Sequence, residues 1–175
     1  VQGYDIQEKK FALQVGRVES LKNNLYTIKA CNELKIPLIF IGEAVDVEYL
    51  DKCRSEAEGS KVYFLGKKDI EEIVAFYRNA KVHILPSYRE TPGLASLEAA
   101  YCGCNIVSTS VGSAKEYFGE LAYYCDPLNY ESIKCAIQKA WNSPNDDELS
   151  KLISNKFTWD EAARKTLEAY NKIKS

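Results

Sequence analysis

Short apolar runs alternate along the chain with longer segments in which apolar residues recur at helical spacing. The apolar runs lie at 11–15, 38–41, 62–65, 82–85, 105–108 and 121–124. Helical spacing follows at 22–34, 47–58 and from Asp69, and again near 130–141 and 160–173. Asp69 with Glu72, and Thr158 with Glu161, have the spacing of capping boxes, which predicts that helices start there. Almost wholly apolar strands that alternate with helices are typical of a parallel sheet covered on both faces. The pattern predicts an α/β domain with a Rossmann-like, doubly wound parallel sheet of about six strands.

Glycines and charged residues are concentrated in the loops that follow the predicted strands. In a doubly wound sheet, ligands bind beyond the carboxyl ends of the strands. Five loops are therefore expected to converge on one crevice: Gly16-Arg17, Gly42, Gly66-Lys67, 87–93 and 108–112.

The stretch from Ser87 to Gly103 contains two acids with seven residues between them. Glu90 lies in a loop, and Glu98 lies in a helix that begins at Pro92 or Gly93. The first amides of a helix lack intrahelical acceptors and attract anions, so a phosphate at the amides and hydroxyls at the acids would suit this geometry. The alternative interpretation gives the acids no ligand: Glu90 would be a cap or dipole partner at the helix start, and Glu98 would be a solvated surface residue. The expected apolar face of this helix is Leu94, Leu97, and Ala100 or Tyr101.

Two cations, Arg17 and Lys22, follow the first predicted strand at the start of a helix. Cations oppose the helix dipole at this end, and a bound diphosphate would reverse the sign of that interaction. We therefore favour phosphate binding over ordinary surface charge for this pair.

Composition excludes several classes of function. Net charge is −2 and the isoelectric point is near 5.6, so no basic field for nucleic acid is present. No apolar stretch has the length of a membrane span, and Val1–Lys10 is too polar for a signal peptide. Six cysteines without Cys-x-x-Cys spacing, with one histidine, favour free thiols in a reducing cytosol over a zinc site.

Common catalytic motifs are missing. Neither Gly-x-Gly-x-x-Gly nor the Walker sequence follows the first strand, which disfavours dehydrogenases and P-loop enzymes. There is no Gly-x-Ser-x-Gly, and His83 lies within a predicted strand, where a packed core residue is expected. No carboxylate cluster demands a divalent metal.

An ordered set of motifs closely resembles a known family. It comprises Gly16-Arg17 with Lys22, Phe64-Leu65-Gly66, Pro86-Ser87-x-x-Glu90-x-x-Gly93-Leu94-x-x-x-Glu98-Ala99, then Gly103 and Glu116. From about Phe11 to Ile173 the chain resembles the C-terminal, donor-binding domain of retaining nucleotide-sugar glycosyltransferases of the GT-B fold, the group 1 family.

The resemblance implies a role for each matching residue. Arg17 and Lys22 would contact the diphosphate, Glu98 the ribose hydroxyls, and Glu90 the donor sugar near the reacting centre. On this basis Glu90, Arg17 and Lys22 are the catalytic residues. The resemblance also implies that the Gly66-Lys67-Lys68 loop borders the base and that the backbone of Pro92, Gly93 and Leu94 contacts sugar and phosphate. Gly16 and Thr91 complete the donor-binding residues.

The chain departs from the family in two ways. Thr91-Pro92 stands where an aromatic residue usually precedes Gly-Leu, and proline lacks an N–H for ligand contact. The N-terminal, acceptor-binding domain is also missing, so we expect a segment of a longer protein. Residues 1–10 would then be a linker, 11–157 the nucleotide-sugar-binding domain and 158–175 a C-terminal helix.

The implied activity is transfer of a hexosyl group from a nucleoside-diphosphate sugar to a glycan or lipid-linked acceptor, with retention of configuration. Neither metal nor cofactor is expected, and the isolated domain is expected to be inactive. Full-length protein would be cytoplasmic, with peripheral association at the cytoplasmic face of a membrane, and would serve polysaccharide biosynthesis. Alternatives are a non-catalytic nucleotide- or phosphosugar-binding module and an epimerase or phosphorylase. Whether Glu90 is a nucleophile or only orients the sugar stays open.

Overall fold

The structure, a computed structural model, describes residues 9–91 and 93–174. Six strands form one all-parallel sheet in the order β3-β2-β1-β4-β5-β6. The strands are β1 (Ala12–Val15), β2 (Leu38–Ile41), β3 (Val62–Phe64), β4 (Val82–Leu85), β5 (Asn105–Thr109) and β6 (Tyr123–Cys125). The prediction of a six-stranded, Rossmann-like parallel sheet is confirmed.

Eight α-helices are found in the described part of the chain. They are α1 (Asn24–Glu33), α2 (Val47–Glu56), α3 (Ile70–Asn79), α4 (Leu94–Tyr101), α5 (Ala114–Phe118), α6 (Tyr130–Asn142), α7 (Glu148–Lys156) and α8 (Trp159–Lys174). A 3-10 turn, Ser20–Lys22, precedes α1, so the first helix begins two residues later than predicted. Two of these helices, α5 and α7, were not predicted from the sequence pattern. The second of these buries Leu149 and Ile153, a short apolar pattern that could have revealed it.

The strand order reverses direction beside β1. Ala12 is in register with Leu38 of β2 on one side and with Val82 of β4 on the other. The loops that leave β1 and β4 therefore run to opposite faces of the sheet, and their separation opens a crevice at the carboxyl ends of these strands. We call this side of the sheet the carboxyl edge.

The core has one apolar layer on each face of the sheet. Successive residues of a strand point to opposite faces, so Ala12 joins one layer and Leu13 the other. The first layer is completed by α1, α2 and α6, and the second by α3, α4, α5 and α7. By contrast, α8 is largely exposed, with Trp159 83% and Ile173 82% accessible.

Predicted helix starts are confirmed by side-chain caps. The Asp69 carboxylate accepts a hydrogen bond from the Glu72 amide at 2.8 Å, and the Thr158 hydroxyl accepts one from the Glu161 amide at 3.2 Å. Each cap satisfies an amide that the first helical turn leaves without an acceptor.

The buried face of α4 matches the predicted one in part. As predicted, Ala100 is buried and Leu97 packs against the core. Leu94 and Tyr101 are exposed instead, and Ser96 and Ala99 are buried. Small side chains let α4 pack closely on the sheet and its neighbouring helices, which turns the large residues outward.

Candidate functional site

Loops at the carboxyl edge are tied to one another across the sheet. The Gly42 amide donates to the Gly66 carbonyl at 2.8 Å, which joins the loops after β2 and β3. A Cβ on Gly42 would stand 2.0 Å from the Gly16 carbonyl oxygen, so the loops after β1 and β2 touch through their backbones. Glycine at position 42 is therefore required by close approach as well as by its φ of +147°.

The loops after β1, β4 and β5 are joined in the same way. The Tyr88 amide donates to the Leu21 carbonyl at 3.0 Å, and Glu90 forms an isolated parallel bridge with Gly112. All five loops expected at this edge lie there, and successive loops are in direct contact.

Glu90 is fixed by both its backbone and its side chain. Its amide donates to the Val111 carbonyl, and its carbonyl accepts from the Ser113 amide. The side chain is only 9% exposed, and Oε1 accepts hydrogen bonds from Lys22 Nζ at 2.6 Å and from Ser87 Oγ at 2.5 Å. An anion that is nearly buried needs such donors to compensate for lost water.

Lys22 is held from two directions. Its ammonium group donates to the Glu90 carboxylate, and its backbone carbonyl accepts a hydrogen bond from the side-chain amide (Nε2) of the buried Gln14 at 3.0 Å. The next residue, Asn23, adopts the left-handed conformation with φ +57° and donates to the carbonyls of Pro86 and Pro127. These bonds bring the start of α1 against the loops after β4 and β6.

Arg17 is more exposed than Lys22. Its side chain is 62% accessible and pairs with the Glu19 carboxylate at 2.9 Å. Both predicted phosphate-binding cations are therefore paired with carboxylates of the chain itself.

The N-terminus of α4 lies above the Glu90 carboxylate. Gly93 caps the helix in the left-handed conformation, with φ +69°. A Cβ on Gly93 would be 3.7 Å from Glu90 Oε2. The amides of Leu94 and Ala95 are in the first turn, where no intrahelical acceptor is available. This arrangement places amide donors beside an acid at the crevice.

Glu98 lies on the second turn of α4 and is exposed. Its Oε2 accepts a hydrogen bond from the Tyr77 hydroxyl at 3.2 Å. Tyr77 is fully buried on α3, and burial and then the nearby Glu98 raise its pKa far above the ordinary value. The hydroxyl therefore stays protonated and acts as a donor.

His83 is a core residue, as the sequence indicates. It is fully buried, and burial lowers its pKa to about 3, so the imidazole is neutral near pH 7. Nε2 accepts from the Val15 amide at 3.3 Å, which leaves the proton on Nδ1, 3.3 Å from the Ser96 hydroxyl. The ring thus links the end of β1 to α4.

The remaining predicted residues border the crevice less closely. Lys67 is exposed and 3.7 Å from Glu43, and Lys68 pairs with Glu72 at 3.0 Å. Gly66 and Thr91 are exposed, and Gly16 is half-buried. Pro92 lies outside the described residues.

Three residues that support the site were not predicted to do so: Ser87, Asn23 and Gln14. Two signals were available: Gln14 is a polar residue within a buried strand, and Asn23 belongs to an Asn-Asn pair between a strand and a helix. Asparagine tolerates the left-handed conformation better than most residues, which makes such pairs informative.

The described residues contain no group of three or more histidine, cysteine or acidic side chains able to hold a metal ion. All six cysteines are free, and burial raises the pKa of Cys104 and Cys125 to about 12. Among the helices described, none is long and apolar enough to cross a membrane.

Known proteins with similar sequences cover most of this chain. O-antigen chain mannosyltransferase B of Escherichia coli is 26% identical over 183 residues, which cover 97% of this chain and 48% of that protein. The chain thus spans about half the length of the curated relatives it matches. The model of the family described as "Glycosyl transferases group 1" matches residues 2–159.

Solved structures share the fold. Sucrose-phosphate synthase from Thermosynechococcus elongatus superimposes with a TM-score of 0.81 at 20% identity, covering 97% of this chain and 47% of that one. The C-terminal domain of a glycosyl transferase group 1 family protein from Francisella tularensis superimposes with a TM-score of 0.72 at 22% identity. That match covers 87% of this chain and 89% of that one. The fold is that of the C-terminal half of a GT-B glycosyltransferase, and the chain belongs to the glycosyl transferases group 1 family.

Proposed function

We propose that this chain binds a nucleoside-diphosphate sugar at the carboxyl edge and supports transfer of its hexosyl group with retention of configuration. The observation that carries the proposal is the meeting of Lys22, from the loop after β1, with Glu90, from the loop after β4, at the point where the strand order reverses. Family membership supports a transferase.

The diphosphate would lie between the β1 loop and the start of α4. Cleavage of the sugar–phosphate bond adds negative charge to the leaving diphosphate. Arg17, Lys22 and the first amides of α4 are the groups proposed to stabilise that charge. Positive charge supplied by side chains and amides can replace a divalent cation, so no metal takes part in this proposal.

Glu90 is proposed to orient the donor sugar and to stabilise developing positive charge at the anomeric carbon. Its Oε1 already accepts two short hydrogen bonds, from Lys22 and Ser87. These donors stabilise the anion and reduce its nucleophilicity, which favours orientation over covalent attack. The leaving phosphate would then take the proton of the acceptor hydroxyl on the same face of the sugar.

The acceptor is proposed to be a glycan or a lipid-linked sugar, held by a part of the protein beyond these residues. The mannosyltransferase relative acts on an O-antigen chain according to its name, which supports a glycan acceptor by analogy. Full-length protein working at the cytoplasmic face of a membrane would fit a lipid-linked acceptor.

The experiment that tests the proposal is calorimetric titration of the chain with UDP, GDP, ADP and their monophosphates at fixed salt. Arg17→Ala with Lys22→Ala should weaken diphosphate binding far more than nucleoside binding. Arg164→Ala with Lys165→Ala makes the same charge change on α8 and should have little effect. Chelator should leave binding unchanged. Equal losses for diphosphate and nucleoside, or a requirement for metal, would contradict the proposal.

A further inference from the structure

We propose that Tyr77 is a positioning residue, which holds the Glu98 carboxylate in the orientation that accepts hydrogen bonds from the two ribose hydroxyls of the donor. This inference rests on the proposed function, because it requires that Glu98 contacts the ribose. Tyr77 itself would not touch the ligand, since it is fully buried beneath α4.

The contact joins a buried residue to an exposed one. Glu98 lies on the exposed side of α4, where a glutamate side chain samples several rotamers. The Tyr77 hydroxyl donates to Oε2 at 3.2 Å and so restricts where the carboxylate can lie. A carboxylate offers about four acceptor positions. One bond to Tyr77 therefore leaves enough acceptors for both hydroxyls of a ribose.

Tyr77 is itself held in place by its surroundings. Its ring packs edge-on against His83, with ring centroids 5.8 Å apart at 70°. Its carbonyl accepts a bond from the Cys104 thiol at 3.0 Å. His83 in turn lies within hydrogen-bond distance of the Val15 amide and the Ser96 hydroxyl. The hydroxyl that meets Glu98 is thus fixed relative to both β1 and α4.

Fixing a ligand-binding side chain before the ligand arrives lowers the entropic cost of binding. A residue that acts only through Glu98 should change the affinity for a ligand only if that ligand contacts Glu98. Tyr77→Phe removes the hydroxyl and keeps the ring on His83. Its effect should appear in the contrast between a ribonucleotide and the same nucleotide without ribose hydroxyls.

The test compares the best-binding of UDP, GDP and ADP with its 2′,3′-dideoxy analogue. In Tyr77→Phe the ratio of the two affinities should fall by about tenfold, as expected for loss of a hydrogen bond to a charged group. Tyr124→Phe is the matched control, because that hydroxyl donates at 2.8 Å to the carbonyl of Gly119, the residue that follows α5, and not to Glu98. Both ligands are titrated on one preparation, so the folded fraction cancels from the ratio.

Outcomes separate this inference from the function on which it rests. If Glu98→Ala lowers the ratio and Tyr77→Phe does not, the positioning role is wrong and the ribose site stands. An equal loss for both ligands in Tyr77→Phe would make Tyr77 merely structural and would also overturn the role. If Glu98→Ala leaves the ratio unchanged, or if no diphosphate binds, the proposed function itself fails.

Discussion

Lys22 Nζ lies 2.6 Å from Glu90 Oε1, although 67 residues separate the two in the chain. The side chains are only 22% and 9% exposed, so the pair is shielded from solvent. Two loops that leave different strands are thereby joined at the place where the ligand is proposed to bind. The bond contributes to the fold and also determines the charge that a ligand meets.

Removing one partner of this pair should destabilise the chain. Lys22→Met leaves Glu90 with Ser87 as a donor and should lower the free energy of unfolding by about 1–3 kcal/mol. A double-mutant cycle with Glu90→Gln, followed by urea denaturation, should give a coupling energy of about 1–2 kcal/mol.

Lys151 and Asp147 provide a control pair at the same 2.6 Å distance, but with side chains 68% and 71% exposed. Their cycle should give a coupling energy below about 0.5 kcal/mol, because solvent screens exposed pairs. Similar coupling energies in the two cycles would show that burial adds nothing to the Lys22–Glu90 bond.

Glu19 should compete with a ligand phosphate for Arg17. Glu19→Gln removes the carboxylate 2.9 Å from the guanidinium and should raise diphosphate affinity by about two- to fivefold, because the Arg17 side chain is largely exposed and solvent weakens its ion pair. The gain should shrink at high salt. Calorimetry in the Arg17→Ala background should show little gain. Glu161→Gln changes net charge equally on α8, and a similar gain there would contradict direct competition.

Gly112 should not tolerate a side chain. A Cβ there would stand 2.1 Å from the Glu90 carbonyl oxygen, at a φ of +110°. Gly112→Ala should therefore cost more than about 2 kcal/mol of unfolding free energy and weaken diphosphate binding. Gly59→Ala meets no atom within 4 Å at a φ of +72° and should cost about 1 kcal/mol. Equal losses of unfolding free energy in the two variants would mean that backbone conformation alone, and not the close approach to Glu90, causes the effect at position 112.

His83 should make stability depend on pH in the acid range. Its pKa is about 3 in the folded chain and about 6.5 when unfolded, so between these values only the unfolded state binds the proton. The stability contributed by neutral His83 is complete above pH 6.5 and is lost as pH falls towards 3. His83→Gln should remove a slope of up to about 1.4 kcal/mol per pH unit.

The measurement is the free energy of unfolding of the original chain and of His83→Gln between pH 4 and 7. The difference between the two free energies cancels the titration of the carboxylates that both proteins share. His83 is the single histidine of the chain, so no other imidazole contributes. Parallel curves for the two proteins would contradict a buried, neutral His83.

The architecture could be predicted because it depends on local patterns. Strands with almost continuous apolar residues, such as Leu38–Ile41 and Val82–Leu85, have the bounds that the sequence indicates. Asp69 and Thr158 cap helices where their spacing predicts. Alternation of strands and helices then leaves few sheet topologies, and ligand loops follow the strand ends. The sequence alone therefore determined the fold class and the edge of the sheet that carries the candidate site.

Side-chain partners were decided by the tertiary structure. Nothing in the sequence links Lys22 to Glu90 or Tyr77 to Glu98, since each contact depends on where elements meet after packing. The inward face of α4 was likewise decided by contact: close packing selects Ser96 and Ala99 over the larger Leu94. Local propensity acts within a few residues, whereas burial and pairing at the carboxyl edge depend on residues far apart in the chain.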